Sequence, residues 1–214
     1  MTLEPERARH LVRTSYDQLG KGYADWARQN ADPVRQRYLQ YLLTHLPAGS
    51  KVLDLGCGDG SLITAHLVRD HDVTGVDLSS TQIEEAGNMI PNAQFICDDI
   101  TTIDLSESSF DTIVAFYCLT HVPQQELPSV IARVAAWLRP GGLFVGSFGV
   151  DDEPGSVQDD WLGVPMFFSG CRPETNREIL TEAGLVIEQD RIETVEEFDQ
   201  KVRFHWIMAR KPGQ

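Results

Sequence analysis

An α/β fold, with a largely parallel sheet covered on both faces by helices, is predicted by three features of the 214-residue chain. From Lys51 onward, short apolar runs with β-branched residues alternate with segments of helical period, and parallel strands need such a helix in each crossover. The run Lys51–Leu55 passes through glycines into a helical segment, giving a strand, a loop and a helix in order. The last two strand candidates have no helix between them, so they form a hairpin and the final strand runs antiparallel.

Before the sheet, Pro5 to Arg28 carries helical spacing, with Leu11, Tyr16, Leu19, Tyr23 and Trp26 as inward positions. A second helix is expected to start at Asp32-Pro33, an N-cap followed by a first-turn proline, and to end in Pro47-Ala48-Gly49. Tyr38, Tyr41, Leu42 and Leu46 form its apolar face. Strands are expected at Lys51–Leu55, Asp72–Asp77, Gln94–Cys97, Asp111–Phe116, Gly142–Phe148, Val186–Glu193 and Val202–Arg210. Helices are expected at Gly60–Val68, Ser80–Met89, Gln125–Leu138 and Pro173–Ala183. Asp151 to Pro165, rich in Asp, Gly and Pro, reads as one long irregular segment leading into Met166-Phe167-Phe168, and such loops are often functional. Leu138-Arg139-Pro140-Gly141-Gly142 is a turn, where proline and glycine stop a helix and reverse the chain.

With 42% apolar residues the chain is expected to fold as a single domain, 1–214. Its parts are 1–48 (N-terminal helices forming a lid), 49–150 (the ligand-binding core), 151–172 (an insertion) and 173–214 (a C-terminal helix and hairpin). Eighteen basic residues against 32 acidic ones give 18 − 32 = −14, a field that repels nucleic acid and anionic lipid alike. No run reaches the roughly 18–20 apolar residues of a membrane span, and Met1 to Arg13 is charged where a signal peptide is apolar, so a cytoplasmic location is expected. Cys57, Cys97, Cys118 and Cys171 form no C-x-x-C pair, and His66 and His71 stand apart among charges, so no metal site is expected.

Val52-Leu53-Asp54-Leu55-Gly56-Cys57-Gly58-Asp59-Gly60 carries the chemistry. Glycines let the backbone turn sharply at a strand's carboxyl end and approach a ligand, and helix N–H groups beyond them face it. A dinucleotide fingerprint wants G-x-G-x-x-G, whereas here Ser61 stands at the third glycine's place. The second strand ends at Asp77, where a carboxylate can accept both hydroxyls of a ribose, from NAD or from another adenosine ligand. The third ends in Asp98-Asp99, placed to bond an adenine amino group.

VLDLGCGDG, VTGVDLS, FICDDI, SFDTIVAFYCLTHV and LRPGGLFVGSF, in this order, resemble class I S-adenosylmethionine-dependent methyltransferases of small-molecule, bacterial-like type, strongly over Lys51 to Phe148. The resemblance implies a Rossmann-like seven-stranded sheet of order 3-2-1-4-5-7-6, the last strand antiparallel. It implies S-adenosyl-L-methionine over the carboxyl ends of strands one to four, with Asp54 and the backbone of Gly56, Cys57 and Gly58 serving its methionine part and Asp77 its ribose. Asp99 and the Ile100 N–H would read adenine, Leu78 and Ile100 would sandwich the ring, and the Phe116 carbonyl would take the amino group. The family often has glycine where Asp98 stands, so either acid of the pair can be the adenine contact.

Methyl transfer needs chiefly a positioned acceptor, with a base where the acceptor is a hydroxyl. His121 follows the fourth strand in the segment that borders the methyl group in this family; it is the catalytic candidate, against a reading as a capping or packing histidine. Trp161, Met166, Phe167 and Phe168, joined by Tyr16, Tyr23 and Trp26, are the candidates for lining a pocket for a small, partly apolar acceptor, or else are core. The competing functions are a binding protein for S-adenosylmethionine or S-adenosylhomocysteine without transfer, and a nicotinamide-dependent oxidoreductase.

Overall fold

The computed structural model describes residues 3–30, 32–198 and 200–213. Residues 1, 2, 31, 199 and 214, within the expected 1–48 and 173–214 segments, lie outside them. The strands are β1 (Lys51–Leu55), β2 (Asp72–Asp77), β3 (Gln94–Cys97), β4 (Phe110–Ala115), β5 (Leu138–Phe148), β6 (Glu153–Trp161), β7 (Val164–Gly170), β8 (Val186–Glu197) and β9 (Gln200–Arg210). The helices are α1 (Pro5–Leu19), α2 (Lys21–Gln29), α3 (Pro33–His45), α4 (Thr64–Leu67), α5 (Ser80–Met89), α6 (Leu127–Trp137) and α7 (Pro173–Glu182).

The main sheet has seven strands in the order β3-β2-β1-β4-β5-β9-β8. With the β6-β7 hairpin set aside as a second sheet, this is the expected order. β1 pairs in parallel with β2 and β4, and β9 runs antiparallel to β5, with Phe148 opposite His205 and Leu143 opposite Arg210. β1 is buried at four of its five positions, as a central parallel strand with helices on both faces must be. One face packs Leu55, Ile113 and Phe144 against Ile131 and Val134 of α6 and Leu180 of α7. The other packs Val52, Val114 and Val145 against Tyr38 and Leu42 of α3, where the Tyr38 ring stacks on Trp206 at 4.3 Å between centroids. Asp32 caps α3 by accepting from the Arg35 N–H at 2.9 Å, and Ser79 caps α5 by accepting from Gln82.

Four expectations need correction, the first being that Leu138–Gly142, read as a turn, already belongs to β5, with Leu138 paired to Phe110. Pro5 to Arg28 is two helices, not one, because Gly20 takes φ 48° and breaks the ladder. The buried stripe of α1 is Ala8, Val12 and Ser15, with Leu11, Tyr16 and Leu19 at its edge. Small residues sit at the centre because the helix lies close on the hairpin, where Ser15 Oγ donates to the Pro165 carbonyl at 2.5 Å.

The helix expected over Gly60–Val68 shrinks to one turn, Thr64–Leu67, since the glycine loop continues as turns to Ile63. Asp151 to Pro165 is not irregular. It forms β6 and the start of β7, joined at Leu162-Gly163, both at positive φ (54° and 86°), the geometry a two-residue hairpin turn requires. β6 is exposed almost throughout, so no alternation marks it, and its pairing with β7 holds it in place. No helix among the described residues is long and apolar enough to cross a membrane.

Candidate active site

At the carboxyl end of β1 the chain turns through Gly56, Gly58 and Gly60 at φ 67°, 57° and 74°. Gly56 is forced by contact as well as by φ, since a Cβ there would lie 2.3 Å from the Cβ of Cys118. The loop's N–H groups do not point free, as the expected helix start would have left them. Gly56 and Cys57 donate to the Val76 carbonyl, at 2.8 and 3.1 Å, and Gly58 donates to Asp77 Oδ2 at 2.8 Å. The loop therefore offers a ligand close backbone approach, its carbonyls and the neighbouring acids. Asp54 is buried and accepts from Thr64 Oγ1 at 2.6 Å. Burial pushes its carboxyl up to about 7, against the hydrogen bond that opposes it.

Asp77 ends β2 and also accepts from the Ser79 N–H at 2.9 Å; burial raises its pKa against these two backbone bonds. Asp99 stands beyond β3, with Oδ1 taking the Thr101 N–H at 2.8 Å and Oδ2 paired with Arg9 Nε at 2.9 Å. Its neighbour Asp98 is exposed and stands outside the cavity that Asp99 lines. Arg9 reaches on to Glu126 at 2.6 Å, and Asp17, two turns further along α1, accepts from Ser79 Oγ at 2.6 Å. Those contacts strap α1 across the carboxyl ends of β2 and β3.

Under that strap lies a cavity of about 770 Å³ counted out to its mouth. Gly56, Gly58, Asp77, Leu78, Asp99, Ile100, Phe116, His121, Tyr16 and Tyr23 all line it. A smaller recess of about 400 Å³ opens beside it, sharing Tyr23, Gly56, Gly58, Phe116 and Tyr117 and adding Asp54, Cys57 and Arg35. In the same cavity His121 Nδ1 lies 2.8 Å from the Phe167 carbonyl and Nε2 lies 3.0 Å from the Tyr16 hydroxyl. Burial lowers the His121 pKa to about 4, outweighing the Phe167 carbonyl, which favours the charged form. Trp161 and Phe168, expected as lining, lie against the His121 ring, with centroids at 6.2 and 4.9 Å, but they line a neighbouring groove and not this cavity.

Met166 and Phe167, expected as lining, have no exposed surface and pack with Ala8 and Val12 under α1; only the Phe167 carbonyl reaches the site. Consecutive residues of a strand point to opposite faces, but β7 is packed by α1 and by the 118–121 turn, so both side chains become core. Trp26 stacks on Phe198 at 5.1 Å and does not line the cavity, although Tyr23 of the same helix does.

Sequence reasoning missed Arg9, Arg35 and Tyr117. Tyr117 stands at φ 65°, donates its hydroxyl to Asp32 Oδ2 at 2.7 Å and lies under the Arg35 guanidinium at 5.1 Å. An aromatic residue two positions past the end of β4 and an arginine three residues past the Asp32 N-cap are the local signals that Tyr117 and Arg35 carry.

Residues 52–142 match the family described as a methyltransferase domain. The 27-O-demethylrifamycin SV methyltransferase of Amycolatopsis mediterranei is 30% identical over 207 residues, covering 90% of this chain and 74% of that protein. The ubiquinone biosynthesis O-methyltransferase of Coxiella burnetii is 36% identical over 115 residues, 52% of this chain and 47% of its own, so the match spans about half of that relative. Among solved structures, the 1,6-didemethyltoxoflavin-N1-methyltransferase of Burkholderia thailandensis superposes with a TM-score of 0.74 at 22% identity, over 99% of this chain and 92% of that one. A strand order of 3-2-1-4-5-7-6, a glycine turn between buried acids and a relative matched along nine-tenths of this chain agree, and the chain belongs to the class I S-adenosylmethionine-dependent methyltransferases.

Proposed function

We propose that the protein transfers a methyl group from S-adenosylmethionine to a small-molecule acceptor. The observation that carries this is a pair of adjoining pockets that share the glycine turn, one lined by the buried acid Asp54, the other by Asp77 and the uncharged ring of His121. The donor set suits the cofactor. Two carboxyls held up by burial gain from a cationic ammonium or from hydroxyl donors, and no cation pairs with either among the described residues.

Asp77 uses two of a carboxylate's roughly four acceptor positions on Gly58 and Ser79, which leaves two for a ribose diol. Asp54 and the Gly56, Cys57 and Gly58 backbone serve the methionine part, with Arg35 across the recess for its carboxylate and the Phe116 carbonyl for its amino group. Asp99 and the Ile100 N–H take the adenine edge, between Leu78 and Ile100. When bound, the cofactor supplies a methyl carbon already activated by its sulfonium. The chain's own work is to orient the acceptor against that carbon, to exclude water beneath α1 and the hairpin, and to hold a proton acceptor at His121 Nε2.

The segments keep their expected parts in this reading, with 1–48 as a lid, 49–150 as the cofactor core, 151–172 on the acceptor side and 173–214 completing the sheet. A net charge of −14 favours a small molecule over nucleic acid, and the protein acts in the cytosol. Calorimetry with S-adenosylmethionine, S-adenosylhomocysteine and NAD, followed by labelled-methyl transfer across an acceptor library, tests the reading. NAD binding without the methionine ligands would overturn it, and cofactor binding with no methylated product in the library would favour a binding protein.

A further inference from the structure

The acceptor side of the cavity already holds an occupant, a phenol that belongs to the chain. The Tyr16 hydroxyl lies 3.0 Å from His121 Nε2, and its ring meets Tyr23, His121 and Trp161 edge to face, with centroids at 5.5, 5.6 and 5.9 Å. Phe167 offers His121 Nδ1 a carbonyl, which can only accept, so Nδ1 carries the proton and Nε2 is a bare acceptor. The Tyr16 hydroxyl, whose own pKa burial raises well above the usual value, is therefore the donor. His121 is neutral at pH 7, held so by burial.

This environment discriminates among acceptors. The two ring nitrogens of His121 meet only a phenol and a carbonyl, with no carboxylate bonded to the ring among the described residues. An ammonium placed there has no lone pair to attack with and no counter-charge on the ring. A carboxylate brings an anion against a neutral imidazole whose exposed nitrogen is itself an acceptor, and an uncompensated buried charge is costly. A neutral hydroxyl supplies the one thing Nε2 lacks when Tyr16 moves away, a donor. Among hydroxyls, a phenol ionises near pH 10, far more readily than an aliphatic alcohol, and its ring reproduces the edge-to-face contacts that Tyr16 makes.

We propose that the acceptor is a neutral phenol whose hydroxyl replaces that of Tyr16 on His121 Nε2, and that Tyr16 keeps the place until the acceptor arrives. This rests on the methyl-transfer reading. Tyr16 rides on α1, so it leaves by side-chain rotation or with a shift of the strapped helix. In the transfer, the acceptor's O–H bond breaks as its proton passes to Nε2 and its oxygen forms the new carbon–oxygen bond. The methyl carbon–sulfur bond breaks and its electron pair stays on sulfur, and His121 afterwards gives the proton to water.

The test uses the full chain saturated with S-adenosylhomocysteine and four probes sharing one ring system: 2-naphthol, 2-naphthylmethanol, 2-naphthylmethylamine and 2-naphthoate. Binding is read by calorimetry and by the ¹⁵N shifts of the His121 ring. The expected result is that 2-naphthol binds best and moves the Nε2 signal, and that Tyr16→Phe, which uncaps Nε2, binds it at least threefold tighter. Preference for another probe, or no binding of the naphthol, overturns the phenol assignment. Weaker naphthol binding in Tyr16→Phe overturns the displacement. If that variant does not fold, the probe series and the Nε2 signal of the unmodified chain still decide the assignment. S-adenosylhomocysteine binding is measured first in the same titrations: its absence overturns the methyl-transfer reading and this proposal with it, whereas its presence without a preference for the naphthol overturns the phenol assignment alone.

Discussion

Tyr16 and His121, 105 residues apart, share a hydrogen bond of 3.0 Å, and the proton in it belongs to the tyrosine because His121 already spends its own on the Phe167 carbonyl. The imidazole is thereby fixed in one tautomer with its free nitrogen toward the cavity. His121→Asn should lower turnover of a hydroxyl acceptor by roughly 10²-fold while cofactor affinity stays nearly intact, as for a group that acts in the transition state. Steady-state kinetics beside a binding titration measure both. Turnover near that of the unmodified chain would leave His121 as a packing residue.

Burial gives His121 and Asp54 opposite effects on stability against pH. His121 is depressed to about 4 from an ordinary 6.5, so the unfolded chain takes up this proton first and stability is lost as pH falls through that window. Asp54 is raised to about 7 from 3.8, so the folded chain holds its proton longer and stability is lost as pH rises from about 4 to 7. Asp54→Asn should remove the second dependence, which denaturant midpoints at pH 5 and 7.5 will show.

Cofactor binding should draw on the same group. A cationic ligand beside Asp54 favours its ionised form, so affinity for S-adenosylmethionine should rise between about pH 5 and 7 and level off above, with a proton released on binding. Calorimetry in two buffers of different ionisation enthalpy counts that proton. Affinity flat over this range would remove Asp54 from the cofactor site.

Asp77→Ala should weaken S-adenosylmethionine binding by at least tenfold, about 1.4 kcal/mol. Because Asp77 also holds the Gly58 and Ser79 N–H groups, Asp77→Asn serves as a milder companion that keeps one acceptor oxygen. Unchanged affinity in both would show that the ribose lies elsewhere.

At Gly56 an added methyl meets Cys118 at 2.3 Å with the backbone at φ 67°. Gly56→Ala should cost about 2–4 kcal/mol of stability from left-handed strain and overpacking together. Chemical denaturation measures it, and a loss below about 0.5 kcal/mol would mean that the turn relaxes freely.

Arg9 ties α1 to Asp99 and to Glu126, an ion pair at a rim that solvent still reaches. Arg9→Ala should change global stability by no more than about 1 kcal/mol. Amide exchange along α1 should nevertheless speed up, and bound cofactor with acceptor should slow it in α1 and in the segment 151–168 together. Exchange in that segment unaffected by ligands would exclude it from any lid.

Much of this was legible because it is local. The boundaries of β1, β2, β3 and α5 follow from short apolar runs and helical spacing bounded by turn residues, all within a few residues of one another. The acids at the strand ends were legible for the same reason. The β6 strand was not, since a solvent-facing edge strand containing Pro154 and Gly155 carries no alternation and exists by pairing with β7.

By itself the sequence determined the α/β layering, the antiparallel last strand, the glycine turn and the acids at the strand ends, because periodicity, φ restrictions and capping act between near neighbours. Tertiary structure alone decided that Asp99 and not Asp98 faces the cavity, that Met166 and Phe167 are core, and that Arg9 reaches Glu126 across 117 positions. It also decided that Tyr16 meets His121. Those pairings depend on how α1 lies over the sheet and hairpin, and a contact between distant segments leaves no periodic trace in either of them.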